Sequence, residues 1–315
     1  MDRRRFLGLA AATVLFGPEA ARAAPPVLAI ATGDADDRLA VVDVRTGRLV
    51  RSIRCLPDPR SIELVGDRTA LVCHTGAGVL SIVDGSSLVI RRVVHGFHEP
   101  RYTAAHPNGR HAYVTDSGTR EVVAVDVAEG RRLGRLKLDE WARHVTAEPN
   151  GRKLWVGLGT ASERVAIVDI SDPARPRLER MVRPPFLAHD VGYEPSGARV
   201  WVTSGNKREV AVYDARGRLQ LRLGADGAPQ HVTFRGRTAY VTSGGDGTLR
   251  VVSLADGIEL GSARVPVGSY NVQAGGRFVL TPSLETGLLS VLDGAGRLVR
   301  VTKVASASHD ACFVA

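Results

Sequence analysis

Residues 100–116 read PRYTAAHPNGRHAYVTD, and this stretch decides the fold. After an opening triplet, a short strand of small side chains reaches a turn at 107–109, and a second strand, Tyr-Val-Thr, follows at 113–115. Pro, Asn and Gly suit tight turns, whereas aromatic and β-branched side chains favour strands. The stretch therefore predicts two antiparallel strands joined by a turn.

This pattern recurs along the chain, and the last copy runs off its end. The middle residues of the opening triplets are Arg60, Arg101, Arg143, His189, Gln230, Tyr270 and His309. Successive copies are separated by 41, 42, 46, 41, 40 and 39 residues. A period of about 40–45 residues with several short strands in each unit is typical of a β-propeller.

A third strand in each unit ends in an aspartate, except in the sixth unit, which has Ser253. An Asp carboxylate at a strand end can accept hydrogen bonds from backbone N–H groups two residues on and so close the turn. We therefore expect a structural role for these residues, and a fourth, outer strand after each. The aspartates are Asp43, Asp84, Asp126, Asp169, Asp214 and Asp293.

The two ends of the chain predict how the ring closes. Residues 27–31, 38–44 and 48–54 supply a second, third and fourth strand without a first, and residues 309–314 supply a lone first strand. Together they complete one blade, which removes the free sheet edge of a linear array. The fold class is therefore all-β: a seven-bladed propeller with four antiparallel strands in each blade and a shared 1+3 closing blade.

The N-terminus predicts export. Residues 2–8 read DRRRFLG, a short apolar run follows to Phe16, and ARA at 21–23 resembles a cleavage site. We expect a twin-arginine signal peptide over 1–23 and a single propeller domain over 24–315, which places the protein in the periplasm. An ordinary secretory signal with a basic start is the alternative. The apolar run is about half the length of a membrane span.

Composition narrows the classes of partner. The formal charge is +9, and removing four arginines and two acidic residues with the signal leaves about +7. The basic residues are scattered, which argues against nucleic acid and suits small anions or acidic surfaces. The chain has three cysteines, Cys55, Cys73 and Cys312, so at least one has no disulfide partner in the chain. Their spacing does not match the usual metal-binding or haem-attachment motifs. We expect a monomer.

Tyr113-Val114-Thr115-Asp116 and Tyr240-Val241-Thr242-Ser243 resemble the name-giving motif of the YVTN-repeat β-propeller family. The resemblance covers nearly all of the chain after the signal. It implies a fold and no single activity, because the family includes cell-surface proteins, lactonase relatives, quinoprotein dehydrogenase-like subunits and accessory proteins of periplasmic quinoprotein pathways. A short, exported, single-domain member is most similar to the accessory proteins.

Histidine and arginine are concentrated where inner strands begin, at one face of the central channel. Seven of nine histidines lie on that face, four of them at inner-strand starts, and arginines occupy it on three consecutive blades. Imidazole serves metal binding and proton transfer, and guanidinium suits carboxylate or phosphate. The candidate ligand-binding residues are Arg60, Arg101, Arg143, His144, His189, Asp190, His231 and His309.

Each candidate also has a structural interpretation. The histidines can fix turns within a blade, the arginines can pair with a neighbouring acid, and Asp190 and Asp310 can orient a histidine. If a metal binds, the four inner-strand histidines His144, His189, His231 and His309 are its candidate ligands, although no local spacing supports a metal. The sequence assigns no cofactor and no catalytic residue.

Other conspicuous side chains are given structural roles. We expect Trp141 and Phe186 to pack at the channel rim, with cover for a planar ligand as the alternative. Trp155 and Trp201 lie within second strands and should be core. Solvated charge is the interpretation for three loop residues, Lys207, Asp116 and Glu285.

Three functions remain open. The first is a non-catalytic periplasmic binding or accessory protein whose channel face receives an anionic or cofactor-like ligand or a redox partner. The second is an enzyme of the lactonase or quinoprotein/haem oxidoreductase type with a channel histidine. The ring carries no glutamate of the kind lactonase-type propellers use; Glu99 lies one step outside it. The third is a scaffold for another protein.

Overall fold

The computed structural model describes residues 27–159, 162–225 and 227–314. The predicted signal peptide over 1–23 lies outside these residues and stays a prediction. Seven four-stranded antiparallel sheets form a closed propeller, as the repeat period predicted. In the described part of the chain, no helix is long and apolar enough to cross a membrane.

The strands follow one another through the blades in chain order. The first three, in blade 1, are β1 (Leu28–Gly33), β2 (Arg38–Asp43) and β3 (Arg48–Arg54). Blade 2 has β4 (Pro59–Val65), β5 (Thr69–His74), β6 (Val79–Asp84) and β7 (Val89–Val94). Blade 3 has β8 (Pro100–Ala105), β9 (His111–Asp116), β10 (Glu121–Asp126) and β11 (Arg131–Lys137). Blade 4 has β12 (Ala142–Ala147), β13 (Lys153–Leu158), β14 (Val165–Asp169) and β15 (Arg177–Val182).

The remaining blades repeat this order. Blade 5 has β16 (Ala188–Tyr193), β17 (Arg199–Ser204), β18 (Glu209–Asp214) and β19 (Leu219–Gly224). Blade 6 has β20 (Val232–Arg235), β21 (Thr238–Ser243), β22 (Thr248–Ser253) and β23 (Glu259–Arg264). Blade 7 has β24 (Gln273–Gly275), β25 (Phe278–Pro282), β26 (Leu288–Asp293) and β27 (Leu298–Lys303), and the last strand is β28 (Ala311–Val314).

The ring closes through blade 1, whose sheet order is β28-β1-β2-β3. Strand β28 lies antiparallel to β1, with Leu28 opposite Val314 and Ala31 opposite Ala311. The predicted 1+3 closure is therefore confirmed. Blade 1 packs against both neighbours, because one buried cluster joins it to blade 2 and another joins it to blade 7. Residues 27–54 and 311–314 thus complete one packed blade.

Apolar side chains of the second and third strands fill the spaces between adjacent blades. Trp155 and Trp201 are 0% and 1% exposed and lie in two of these clusters, which confirms their prediction as core. Phe186 was predicted at the channel rim, but it is fully buried in the core between two blades. Trp141 is 51% exposed at the rim. In the outer strands, side chains are mostly exposed or alternate between exposed and half-buried, and Arg48–Arg54 is an example of a mostly exposed strand.

The aspartates that end the third strands close turns, as predicted. The Oδ1 atom of Asp43 accepts the Arg45 N–H at 3.0 Å, and that of Asp214 accepts the Arg216 N–H at 2.9 Å. In the sixth unit, the Ser253 hydroxyl oxygen accepts an N–H two residues on, at 3.2 Å. A short polar acceptor at the strand end thus satisfies the turn in either form.

Candidate functional site

A β-bulge at the start of several inner strands sets two consecutive residues opposite a single residue of the second strand. In blade 4, Ala142 pairs with Leu158 and Val145 with Val156, so Arg143 and His144 together oppose one residue. The same irregularity occurs at residues 101–102 of blade 3 and 189–190 of blade 5. Bulges of this kind commonly re-aim side chains next to functional sites. The candidate residues are therefore presented in adjacent pairs.

The threonine of the Tyr-Val-Thr motif holds the neighbouring inner strand in place. The Thr115 hydroxyl donates a hydrogen bond to the Arg143 carbonyl at 2.5 Å, and the Thr203 hydroxyl donates to the Gln230 carbonyl at 2.6 Å. Thr242 donates in the same way to the Tyr270 carbonyl. Each bond crosses from one blade to the next, so the repeated motif positions the backbone of the channel mouth.

Three of the predicted histidines meet in the channel. One ring nitrogen from each of His144, His189 and His231 lies within 4.8 Å of the others. The ring centroid of His144 is 4.7 Å from that of His189 and 4.6 Å from that of His231. Blades 4, 5 and 6 each supply one of them. Three imidazoles converging from rigid strands form the type of donor set that binds a transition metal.

Two of these imidazoles carry buried nitrogens without a protein partner. Among the described residues, neither ring nitrogen of His144 is hydrogen-bonded, and Nε2 of His231 is likewise without a partner. Nδ1 of His231 lies 3.4 Å from the Asp190 carboxylate. Asp190 also accepts the Val232 backbone N–H at 3.0 Å, which fixes the carboxylate between blades 5 and 6. Unpaired buried polar atoms are costly, so these nitrogens are candidates for binding a ligand.

Burial disfavours the charged form of three of the inner-strand imidazoles, His144, His189 and His309. Desolvation lowers the pKa of His144, His189 and His309 well below the usual value, and neighbouring positive groups act in the same direction. Arg143 is one of those groups in all three cases. Neutral imidazole has a free lone pair, which is the form that binds metal or accepts a proton.

The fourth predicted histidine, His309, lies apart from the cluster of three. Its Nδ1 is 3.0 Å from the Arg60 carbonyl and 3.1 Å from the Asn271 side-chain nitrogen. Its ring centroid is 6.4 Å from that of His231. The adjacent Asp310 accepts the Ile62 backbone N–H at 3.0 Å. These bonds join the residues just before β28 to blades 2 and 7, so His309 and Asp310 contribute to ring closure.

The three predicted arginines surround the mouth, and two have acidic partners. Arg60 lies 3.5 Å from Asp34, and Arg101 lies 3.1 Å from Glu99. Burial, the largest effect, raises the pKa of Asp34 to about 7 despite the nearby Arg60. Asp34 therefore carries only part of a negative charge near neutral pH, and the mouth has a net positive charge.

Arg143 has no carboxylate partner among the described residues, and its buried Nε has no hydrogen bond. Burial lowers its pKa, Tyr102 opposes that shift, and the charges of Arg101 and Arg60 add to it. The three guanidinium groups are thus close enough to act on one another. Like charges held together in a partly buried site favour an anionic ligand between them.

The third residues of the opening triplets form a layer across the channel, and a cavity of about 190 Å³ lies against it. This floor consists of Ser61, Tyr102, His144, Asp190, His231, Asn271 and Asp310. The Tyr102 and His144 ring centroids are 4.0 Å apart. The sequence analysis did not select Ser61, Tyr102 and Asn271 as candidate site residues. Their position as third residues of the opening triplets, directly after Arg60, Arg101 and Tyr270, could have identified them.

Glu63 is the carboxyl group lower in this cavity, two positions beyond Ser61. Burial raises its pKa to about 8, although the side chain keeps some solvent contact. The folded state therefore retains a proton that the unfolded chain loses near pH 4.5. Because the unfolded state binds fewer protons, the free energy of unfolding should decrease as pH rises from about 4.5 to about 8.

We expect Glu63→Gln to remove this pH-dependent loss. At pH 9 the variant should be more stable than the wild type by about 1–3 kcal/mol. This difference in stability is smaller than a fully desolvated carboxyl would cause, because Glu63 keeps some solvent contact. Urea unfolding of both proteins at pH 5, 7 and 9 measures the difference. Exposed Glu285→Gln is the control and should show no such trend. A difference that does not change with pH would contradict the assignment.

Other sequence predictions had mixed outcomes. Lys207 and Glu285 are exposed, as expected. The prediction of solvated charge for Asp116 was wrong, because its side chain is buried and accepts the His98 and Glu99 N–H groups at 2.8 and 2.9 Å. A loop that enters an inner strand needs a backbone acceptor, and Asp116 at the end of β9 supplies it.

The histidines outside the channel layer have separate environments. His74, predicted on the channel face, is buried, with Nδ1 3.2 Å from the Pro57 carbonyl and Nε2 2.8 Å from the Ser81 hydroxyl. His95 and His98 are exposed in the loop before β8. His74 therefore fixes a turn within blade 2, which leaves the inner-strand histidines as the ones available to a channel ligand.

Comparison with solved structures supports the fold at low sequence identity. A functionally unknown protein from Desulfotomaculum acetoxidans is 12% identical, with a TM-score of 0.80 over 91% of this chain and 99% of that chain. Hydrazine synthase from Kuenenia stuttgartiensis is 15% identical, with a TM-score of 0.66 over 80% and 88% of the respective chains. These levels of identity show a shared propeller architecture and nothing finer.

A third similar structure is dihydro-haem d1 dehydrogenase NirN in complex with DHE. It is 12% identical, with a TM-score of 0.65 over 92% of this chain and 75% of that chain. No family model matches the sequence, and the comparison with curated proteins finds no match. Function must therefore be argued from the channel itself.

Proposed function

We propose that this chain is an exported, YVTN-type propeller that acts as a binding or accessory protein and takes an anionic group at its channel mouth. The observation that carries the proposal is Arg143, a partly buried guanidinium without a carboxylate partner among the described residues. A partly buried arginine without an acidic partner, beside two others, is a site for a carboxylate or phosphate group.

The charge balance of the mouth supports this proposal. Arg101 is paired with Glu99, and Arg60 faces a carboxyl group whose pKa of about 7 leaves it partly protonated. The charge of Arg143 is therefore left for a ligand. Arginine offers parallel N–H donors to a bidentate anion, and a site of low local dielectric strengthens that contact. A carboxylate-bearing small molecule or cofactor, or an acidic segment of a redox partner, provides such a group.

A lactonase-type reaction has less support. Glu99, the acidic residue nearest the ring, accepts a hydrogen bond from Arg101 and lies outside the floor layer. The floor acids Asp190 and Asp310 accept backbone N–H groups from the next blade. Their arrangement stabilises the ring, and we therefore favour binding over catalysis. Export to the periplasm is part of the proposal, supported by residues 2–8 and 21–23.

Citrate and inorganic phosphate are suitable probes of the mouth. We expect Arg143→Gln to weaken binding of the better probe by about tenfold or more, because it removes a charge-assisted contact. Isothermal titration at low and moderate salt measures the affinity, which should decrease as salt increases. The control is Arg135→Gln on outer strand β11, where the arginine side chain is 69% exposed. Equal affinity in wild type and Arg143→Gln would refute the proposal.

A further inference from the structure

We propose that His144, His189 and His231 together bind one divalent first-row transition-metal ion in the channel. This inference concerns residues beneath the arginine mouth and does not depend on whether the mouth takes an anion. It rests on three imidazoles brought together by three consecutive blades. Tris-histidine sites hold Zn²⁺ and related ions and leave a position for an exogenous ligand.

The distances suit a single ion after a small side-chain adjustment. Nitrogens bound to one Zn²⁺ at about 2.0–2.1 Å lie about 3–3.5 Å from one another. The three candidate nitrogens lie within 4.8 Å of one another. Imidazole rotation about its side-chain torsions can close a difference of this size, while the strands keep their positions. The rings are too near one another to admit a macrocycle between them, with centroids 4.6–5.3 Å apart.

His231 has the surroundings of a metal-binding histidine. Its Nδ1 faces the Asp190 carboxylate at 3.4 Å, and its buried Nε2 is unpartnered among the described residues. A carboxylate on one imidazole nitrogen fixes the tautomer and makes the other nitrogen a better donor. Asp190 is held in turn by the Val232 N–H at 3.0 Å. Metal-binding histidines usually have a hydrogen-bonded partner of this kind on the nitrogen that does not bind the metal. We therefore assign Asp190 as a positioning residue.

His144 supplies the second argument. It is 1% exposed, and neither of its nitrogens has a hydrogen-bond partner among the described residues. Tyr102 packs on its ring at a centroid distance of 4.0 Å, which limits how the imidazole can turn. A buried imidazole without partners is costly, and a metal ion satisfies it.

The charges around the cluster set the kind of ligand that completes the site. Arg143 and Arg60 are the nearby cations, and Asp190, Asp310 and Glu63 are the acids of the floor and cavity. Burial raises the pKa of Asp310 and raises that of Glu63 to about 8, so Glu63 opposes the arginines with little negative charge at neutral pH. An anionic fourth ligand, such as hydroxide or a carboxylate, would balance the arginines.

The experiment measures Zn²⁺ binding to purified protein stripped with a chelator. We expect one equivalent per chain with a dissociation constant below about 1 µM, by competition with a chromophoric chelator. His144→Gln and His231→Gln should each weaken binding by about 100-fold. Asp190→Asn should weaken it by about 10–100-fold through His231. The double variant His95→Gln/His98→Gln alters exposed histidines near the same face and should bind as the wild type does.

A second measurement keeps the test valid if a buried variant fails to fold. Co²⁺ added to the wild type should give the intense visible absorption of a four-coordinate ion, and Zn²⁺ should displace it. Less than one tenth of an equivalent of bound Zn²⁺, or a wild type without the Co²⁺ spectrum, would overturn the proposal. So would binding that survives His231→Gln and disappears in the surface double variant. Arg143→Gln, by contrast, should lose citrate or phosphate and keep Zn²⁺, which separates this proposal from the function of the mouth.

Discussion

Deletion of residues 309–315 should abolish the cooperative fold of the propeller. The deletion removes β28, whose Ala311, Cys312 and Val314 are at most 4% exposed. It also removes the Asp310 carboxylate that accepts the Ile62 N–H. Burial of such side chains contributes about 1–3 kcal/mol each, so the loss approaches about 5 kcal/mol or more. That is comparable with the whole stability of a typical domain.

Thermal and urea unfolding followed by circular dichroism measure this effect. We expect a broad, non-cooperative transition or an insoluble chain, since β1 is left as an unpaired edge. Deletion of residue 315 alone is the matched control and should unfold as the full chain does. A synthetic peptide covering 307–315 should restore cooperativity by adding the missing strand. A deletion variant that unfolds at the wild-type temperature would show that β28 is dispensable.

Trp155→Ala should cost about 3–5 kcal/mol of stability, because it opens a cavity in the core between blades 4 and 5. Trp155 is fully buried, and its ring centroid is 5.7 Å from that of Tyr213 and 6.4 Å from that of Tyr193. The same cluster contains Val191, which lies next to Asp190 in β16. The change should therefore loosen the strand that carries two candidate site residues.

Trp141→Ala is the control for the loss of an indole. Trp141 is 51% exposed at the rim, so its removal should change the free energy of unfolding by about 0.5 kcal/mol or less. Urea unfolding of the wild type and the three variants gives the comparison, and Trp155→Phe should fall between the two alanine variants. If Trp141→Ala were the more destabilising change, the assignment of these residues to rim and core would be wrong.

The repeat made most of the fold predictable from sequence. The spacing of the opening triplets gave the number of blades, and the third-strand aspartates marked where each turn closes. These features are local, because turn and strand preferences act within a few residues. Closure was also predictable, since a lone first strand and three later strands at opposite ends must pair. The twin-arginine segment and the assignment to the YVTN-repeat family remain predictions from sequence.

The sequence predicted which face of the propeller carries the candidate site, but not how the side chains are arranged there. Sequence position placed four histidines at inner-strand starts, and the structure brings His144, His189 and His231 together while His309 is hydrogen-bonded to Asn271 and Arg60. The bulges that pair Arg143 with His144 have no obvious sequence signal. The exposure of Asp116 was predicted wrongly, because its burial depends on the loop that folds over it.

The sequence alone therefore determined the seven-unit ring, its shared closing blade and a channel face rich in histidine and arginine. Only the tertiary structure decided that three imidazoles converge, that Asp190 supports His231, and that Arg143 alone of the three arginines lacks an acidic partner among the described residues. The physical reason is that repeats encode local turns and strand pairing, whereas distances across a channel depend on the twist and packing of blades far apart in the chain.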